Sequence, residues 1–177
     1  MRSTKKIALA SLCAALGVVC LSIGAFLNVL DMSAALLASF FVMFCLMEMG
    51  YGYAFSVFAV ISVLALILLP NASPAWMFIL LFGYMPITKF GFEHLFKRGA
   101  WIPKLLLFNG FYAVVIFLFG ELLGFTAENS FGISPQIIYV AFFAIGNFMY
   151  ILCDILYGRL ARLYLRKLRD RIRRYLK

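Results

Sequence analysis

Apolar residues run along this chain in long blocks, separated by short polar or Gly/Pro punctuation. The blocks cover approximately residues 7–30, 32–47, 53–69, 75–92, 105–125 and 135–157. The first ends near Asn28 and Asp31, and the second at Glu48 and the Gly50-Tyr51-Gly52 turn. The third is closed by Pro70-Asn71-Ala72-Ser73-Pro74. Pro86 falls inside the fourth, where a missing N–H and a ring clash predict a kink. A helix rises about 1.5 Å per residue and a bilayer core is about 30 Å thick, so each block reads as a membrane-spanning helix, the shorter ones only just long enough.

Composition removes the soluble alternative. The chain of 177 residues is 66% hydrophobic and 13% charged, against about 45–50% and about 25% for ordinary soluble domains. So small a soluble fold has too little interior to hide that apolar surface, and lipid must take the rest. The expected fold is all-α: about six transmembrane helices in one bundle over residues 1–158, followed by a basic tail at 159–177.

The net charge of +9 invites a nucleic-acid reading, which the placement of charge removes. No Lys or Arg lies between Lys6 and Lys89, or between Lys104 and Arg159. With both termini cytoplasmic, every basic residue falls on the inner side and the loops near 28–32, 70–74 and 124–134 carry none, as the positive-inside rule requires. Five or seven spans would put one basic cluster on the wrong side. The basic start leads into an apolar run longer than a signal-peptide core and without a clear cleavage site, so it reads as a retained first helix. Cys13, Cys20, Cys45 and Cys153 all lie in apolar segments without metal-ligand spacing and read as packing residues.

The tail reads as a cationic amphipathic helix, with Ala161, Leu165, Leu168, Ile172 and Tyr175 at three- and four-residue spacing and arginines on the other faces. Gly158 is the expected bend before it. Such a helix reads either as an attachment to anionic lipid headgroups or an acidic partner, or as a topology anchor that also caps the last helix.

Ionisable groups within membrane helices are costly and need a reason. Lys89 and Glu93 are four residues apart on one helical face, close enough to pair. Asn109, Asn147 and Asp154 fall in the same cytoplasmic half, and with Glu48 and Lys104 they make a candidate polar cluster. It reads as a switch or coupling-ion site, or as a set of hydrogen bonds tying helices together. At the outer side, Asn28, Asp31, Asn71, Trp76, Glu121 and Tyr139 are candidates for a small-ligand mouth, although Trp76 and Tyr139 also suit an interfacial aromatic belt. His94, the single histidine, has no second ligand nearby, so no metal site is expected. No phosphate loop, nucleophile elbow or zinc motif is present, so neither an ATPase nor a hydrolase is expected, and no cofactor.

On the first helix, Ala10 and Ala14 form an Ala-x-x-x-Ala face that lets another helix approach closely. With the basic start Lys5-Lys6-Ile7-Ala8-Leu9-Ala10, the chain size, the span count and the basic end, this face resembles the substrate-binding S components of energy-coupling factor (ECF) transporters. The resemblance implies that the alanine face docks a transmembrane coupling subunit driven by an ATPase pair. It also implies that a small molecule such as a vitamin binds near the outer mouth, and that the protein is not itself an enzyme. The host would be a bacterial plasma membrane. A second reading is a non-transport scaffold or regulator acting through the cytoplasmic cluster and tail. A third, an ion-coupled carrier using Lys89, Glu93 and Asp154, is weakened by the short chain and the lack of an inverted repeat.

Overall fold

The computed structural model describes residues 3–27, 30–70, 72–96, 99–119 and 135–168. Every regular element among them is helical. In chain order they are α1 (Ser3–Leu27), α2 (Asp31–Met49), α3 (Tyr51–Leu68), α4 (Ser73–Met77), α5 (Met85–Phe96), α6 (Trp101–Phe119) and α7 (Pro135–Leu163). α4 runs on as a π-helical turn, Phe78–Phe82, and α7 as another, Tyr164–Leu168.

Five described stretches are long and apolar enough to cross a bilayer: Thr4–Leu27, Asp31–Met49, Tyr51–Leu68, Ser73–Phe96 and Val140–Arg166. The sixth, within α6, is shorter over its described part. Apolar side chains face outward along these helices, among them Leu12, Val19, Ile23, Phe55, Ile67, Leu106 and Ile145. In water this surface would be costly; facing acyl chains, it is what a multi-pass helix bundle requires.

Local chemistry sets the joints. A single residue, Gly50, separates α2 from α3, at φ 92° and ψ −179°, a region only glycine occupies cheaply. Its N–H donates to the Leu46 carbonyl at 3.1 Å and its carbonyl accepts from Ala54 N–H at 3.2 Å, so one residue closes one helix and opens the next. Pro74 sits in the first turn of α4, where its missing N–H costs nothing.

The irregularity expected at Pro86 lies slightly earlier, as a widened turn and a bend within the Ser73–Phe96 stretch. Gly83 N–H donates to the Phe78 carbonyl at 2.6 Å, a wider i to i−5 loop, and Gly83–Tyr84 is a bend. Pro86 then lies in the first turn of α5, because its ring cannot share space with the carbonyl four residues before it.

The helices α1, α2 and α3 pack most closely, around buried Leu21, Ala35, Ala38, Val42, Ala54 and Ile61. Small residues make this possible. A Cβ on Gly17 would lie 2.5 Å from the tip of Ile61, and one on Gly24 would overlap the Cβ of Ala34.

One expectation at the end of the chain is corrected. Helix α7 passes straight through Gly158 to Leu163, with no bend between a bundle domain and a tail. The inward face there is Tyr157, Ala161 and Tyr164, whereas Leu165 is exposed. The ring of Tyr164 packs edge-on to Phe44, as Tyr157 does to Phe40, so α2 continues to select the face of α7 and the stripe turns by one residue. Leu168, Ile172 and Tyr175 lie outside the residues whose side chains are described.

Candidate functional site

The described basic residues gather at one end of the bundle. Lys6 Nζ stands 5.9 Å from the centroid of the Tyr53 ring, near the start of α3. Tyr51 in turn lies beside Gly91 of α5. At the same end α5, α6 and α7 contribute Lys89, Lys104 and Asp154, and Arg159 and Arg162 follow along α7.

Here α5, α6 and α7 build one ion-pair cluster. Glu93 Oε1 accepts from Lys89 Nζ at 3.1 Å and from Lys104 Nζ at 2.6 Å. Asp154 Oδ2 accepts from Lys89 at 2.8 Å, and its Oδ1 faces Lys104 at 3.4 Å. The side chains of Lys104, Lys89 and Asp154 are 1%, 7% and 7% exposed, and that of Glu93 42%. Two cations and two anions cancel, so three helices share a charged junction with no net charge to hold out of water. Lys104 Nζ also lies 5.5 Å from the centroid of the Trp101 ring. The i, i+4 spacing of Lys89 and Glu93 is visible in sequence. The central place of Lys104, the most buried of the four, is not, because only the pairing of α6 with α5 brings it there.

Asn109 and Asn147, also candidates for this cluster, stand apart from it as a pair of their own. Each amide donates to the other's oxygen, at 3.1 and 2.9 Å, and Asn147 also donates to the Phe143 carbonyl at 2.9 Å. One turn nearer the start of α7, Tyr112 donates to the Phe142 carbonyl at 3.0 Å. These are ties between α6 and α7. A further tie, absent from the sequence reading, joins α2 to α7: Ser39 and Tyr157, both buried and 118 positions apart, are hydrogen-bonded.

A cleft of about 450 Å³ opens beside the charged cluster between α5 and α7. A second groove, about 410 Å³ and almost wholly apolar, runs between α1 and α3. Ala10 and Ala14 line this groove, with Ser11, Ala15, Tyr53 and Val60. Ala14 forms its buried floor and Ala10 is half-buried.

The ligand candidates are placed only in part. Asp31 lies in the first turn of α2, with one carboxylate oxygen buried and without a hydrogen bond among the described residues. Trp76, in α4 at the same end of the bundle, donates from Nε1 to the Pro70 carbonyl at 3.2 Å. Asn28, Asn71 and Glu121 lie outside the described residues, and Tyr139 lies on α7 with its side chain outside them. Glu48 is half-buried at the end of α2. Among the described residues no group of His, Cys, Asp and Glu is arranged to hold a metal ion.

Comparison with family models, with curated proteins and with solved structures finds no match to this chain.

Proposed function

We propose that this chain is the membrane-embedded, substrate-binding subunit of a multi-component importer of the ECF type, taking up a small molecule such as a vitamin. The observation that carries this reading is the open groove between α1 and α3, floored by Ala14 and edged by Ala10, Ser11 and Ala15. A lipid-facing groove built from small side chains lets a second protein's helix approach the backbone closely, the geometry by which helices associate in a bilayer. A transmembrane coupling subunit fits there, with its ATPase pair beyond the basic, cytoplasmic end. The ligand would enter at the opposite end, where α1, α2 and α4 meet around Asp31 and Trp76.

The test is purification of the tagged chain in mild detergent from its native membrane, with mass spectrometry of what accompanies it. The wild type should carry a coupling subunit and two ATPases. Ala10→Leu fills the groove from a half-buried position, so the variant should insert normally and lose those partners. Equal recovery of all three with the variant would overturn this docking mode.

A specific observation also favours a second reading, a scaffold or regulator with no transport role. The charged junction of α5, α6 and α7 adjoins an open cleft at the basic end, where a cytoplasmic partner has access. Recovery of a different partner, lost on deleting residues 167–177, would favour it.

A further inference from the structure

The cleft between α5 and α7 is lined by two cations, Lys89 and Arg162, and two carboxylates, Glu93 and Asp154. Because Lys104 also pairs with both carboxylates, Arg162 is left without one among the described residues. Asp154, Gly158 and Arg162 follow one another at four-residue spacing along one face of α7 and line it. Across from them stand Lys89 and Glu93 of α5. At the centre is Gly158: the place a Cβ would occupy is 3.5 Å from Lys89 Nζ. The glycine therefore lets the buried Lys89 ammonium reach the edge of the cleft with no side chain of α7 at position 158 in front of it.

Arg162 turns toward the same point. Its Nε donates to the Gly158 carbonyl at 3.1 Å, so the side chain folds back along α7 toward the apolar part of the helix. An arginine at a membrane-helix end ordinarily extends toward water. No carboxylate among the described residues lies within ion-pair distance of it. Its two terminal amino groups make no hydrogen bond among the described residues. An ammonium has three donors, and Lys89 spends two, on Glu93 and Asp154. The carboxylates that face the cleft are already engaged, since Glu93 Oε1 accepts from two lysines and Asp154 meets the same two. Two cationic groups thus converge over one glycine with donors to spare.

We propose that this cleft holds the phosphate of an anionic phospholipid, between the Lys89 ammonium and the Arg162 guanidinium. The planar guanidinium fork matches two phosphate oxygens at once, and Lys89 supplies a point charge to a third. The cleft walls explain why the ligand is a lipid. Phe90, Ile155 and Leu165 line it beside the charged groups, giving the first methylenes of an acyl chain an apolar surface. Depth agrees. At about 1.5 Å per residue, α7 crosses a core of about 30 Å in roughly twenty residues. Counted from Pro135, where α7 begins, Arg162 stands beyond that length, at headgroup level and one turn from Gly158. The inference is independent of the importer reading, because it uses neither the α1–α3 groove nor the opposite end of the bundle.

The experiment is native mass spectrometry of the full chain, released from detergent micelles doped with equal amounts of phosphatidylglycerol and phosphatidylcholine. The wild type should retain one phosphatidylglycerol in preference to phosphatidylcholine. Arg162→Gln should weaken retention about fivefold, the effect of one basic group acting on an anionic lipid. Gly158→Ala should weaken it as well, by placing a methyl group between the two cations. Both variants should fold, because Arg162 is exposed and a Cβ at 3.5 Å is ordinary contact; melting without added lipid checks this. Retention unchanged in both variants would overturn the site, as would equal retention of the two lipids. Displacement of phosphatidylglycerol by millimolar inorganic phosphate would assign the cleft to a soluble anion and overturn the lipid.

Discussion

The two sides of this bundle are held together by different means. Helices α1, α2 and α3 meet through small residues: Gly17 against Ile61, Gly24 against Ala34, and the buried alanines 35, 38, 54 and 65. Helices α5, α6 and α7 approach one another at fewer backbone positions and are joined instead by the four-charge junction, the Asn109–Asn147 pair and the Tyr112–Phe142 bond. In lipid, apolar side chains gain little by leaving acyl chains for one another, so helices associate through close packing or polar bonds. One side of this molecule uses the first and the other the second. Failure should differ accordingly: the packed side should be sensitive to added volume, the polar side to lost partners.

The largest effect is expected at Lys104. Lys104→Met keeps the length of the side chain but leaves Glu93 and Asp154 to share Lys89 alone, in a junction where Asp154 is nearly inaccessible. Stranding a buried charge costs about 3–5 kcal/mol, and the partial exposure of Glu93 argues for the lower figure. Unfolding in detergent should show that loss. The double variant Lys104→Met with Glu93→Gln, which restores neutrality, should recover part of it. A single variant as stable as the wild type would mean that the polar side is not held by charge.

On the packed side two glycines separate volume from flexibility. An added Cβ at Gly24 meets the Cβ of Ala34, which is fixed to a helix backbone and has no rotamer to move into. At Gly17 it meets the Cδ1 of Ile61, the free end of a flexible side chain. Gly24→Ala should therefore destabilise by about 1–3 kcal/mol, the usual cost of overpacking. Gly17→Ala should come out near neutral, because alanine's helix preference over glycine, about 1 kcal/mol, offsets a small adjustment. Equal effects at the two positions would show that the backbones yield, and that the close fit of α1 on α2 is not what holds them.

Much of this was legible in the chain, for physical reasons. The span pattern follows from the bilayer, which requires long apolar helices and places charge at their ends, so α1, α2 and α3 begin and end within a few residues of the blocks that predict them. Lys89 with Glu93 was legible because four-residue spacing fixes a helical face. Lys104 at the centre of the junction was not, since its neighbours lie 11 and 50 positions away and depend on which helices become adjacent. Gly158 was misread because a glycine near a helix end signals a bend just as readily as it provides space for a neighbour. Here the neighbour, Lys89, decides.

Where the two sides meet, at Ser39 and Tyr157, the smaller of two unequal effects is expected from the tyrosine. Ser39 has one hydroxyl hydrogen, and its geometry directs it to the Leu36 carbonyl at 2.6 Å. Tyr157 must then donate to Ser39, and the two deletions are not equivalent. Tyr157→Phe leaves Ser39 bonded to Leu36 and should cost well under the roughly 1.7 kcal/mol upper limit seen for such bonds within membranes. Ser39→Ala leaves the Tyr157 hydroxyl, at 1% exposure, without its acceptor and should cost about 1–3 kcal/mol. If Tyr157→Phe proves the more damaging, the donor assignment is reversed. If neither changes stability, α2 and α7 are joined by the rings of Phe40 and Tyr157 alone, and the polar means of assembly stops at α7 without reaching the packed side.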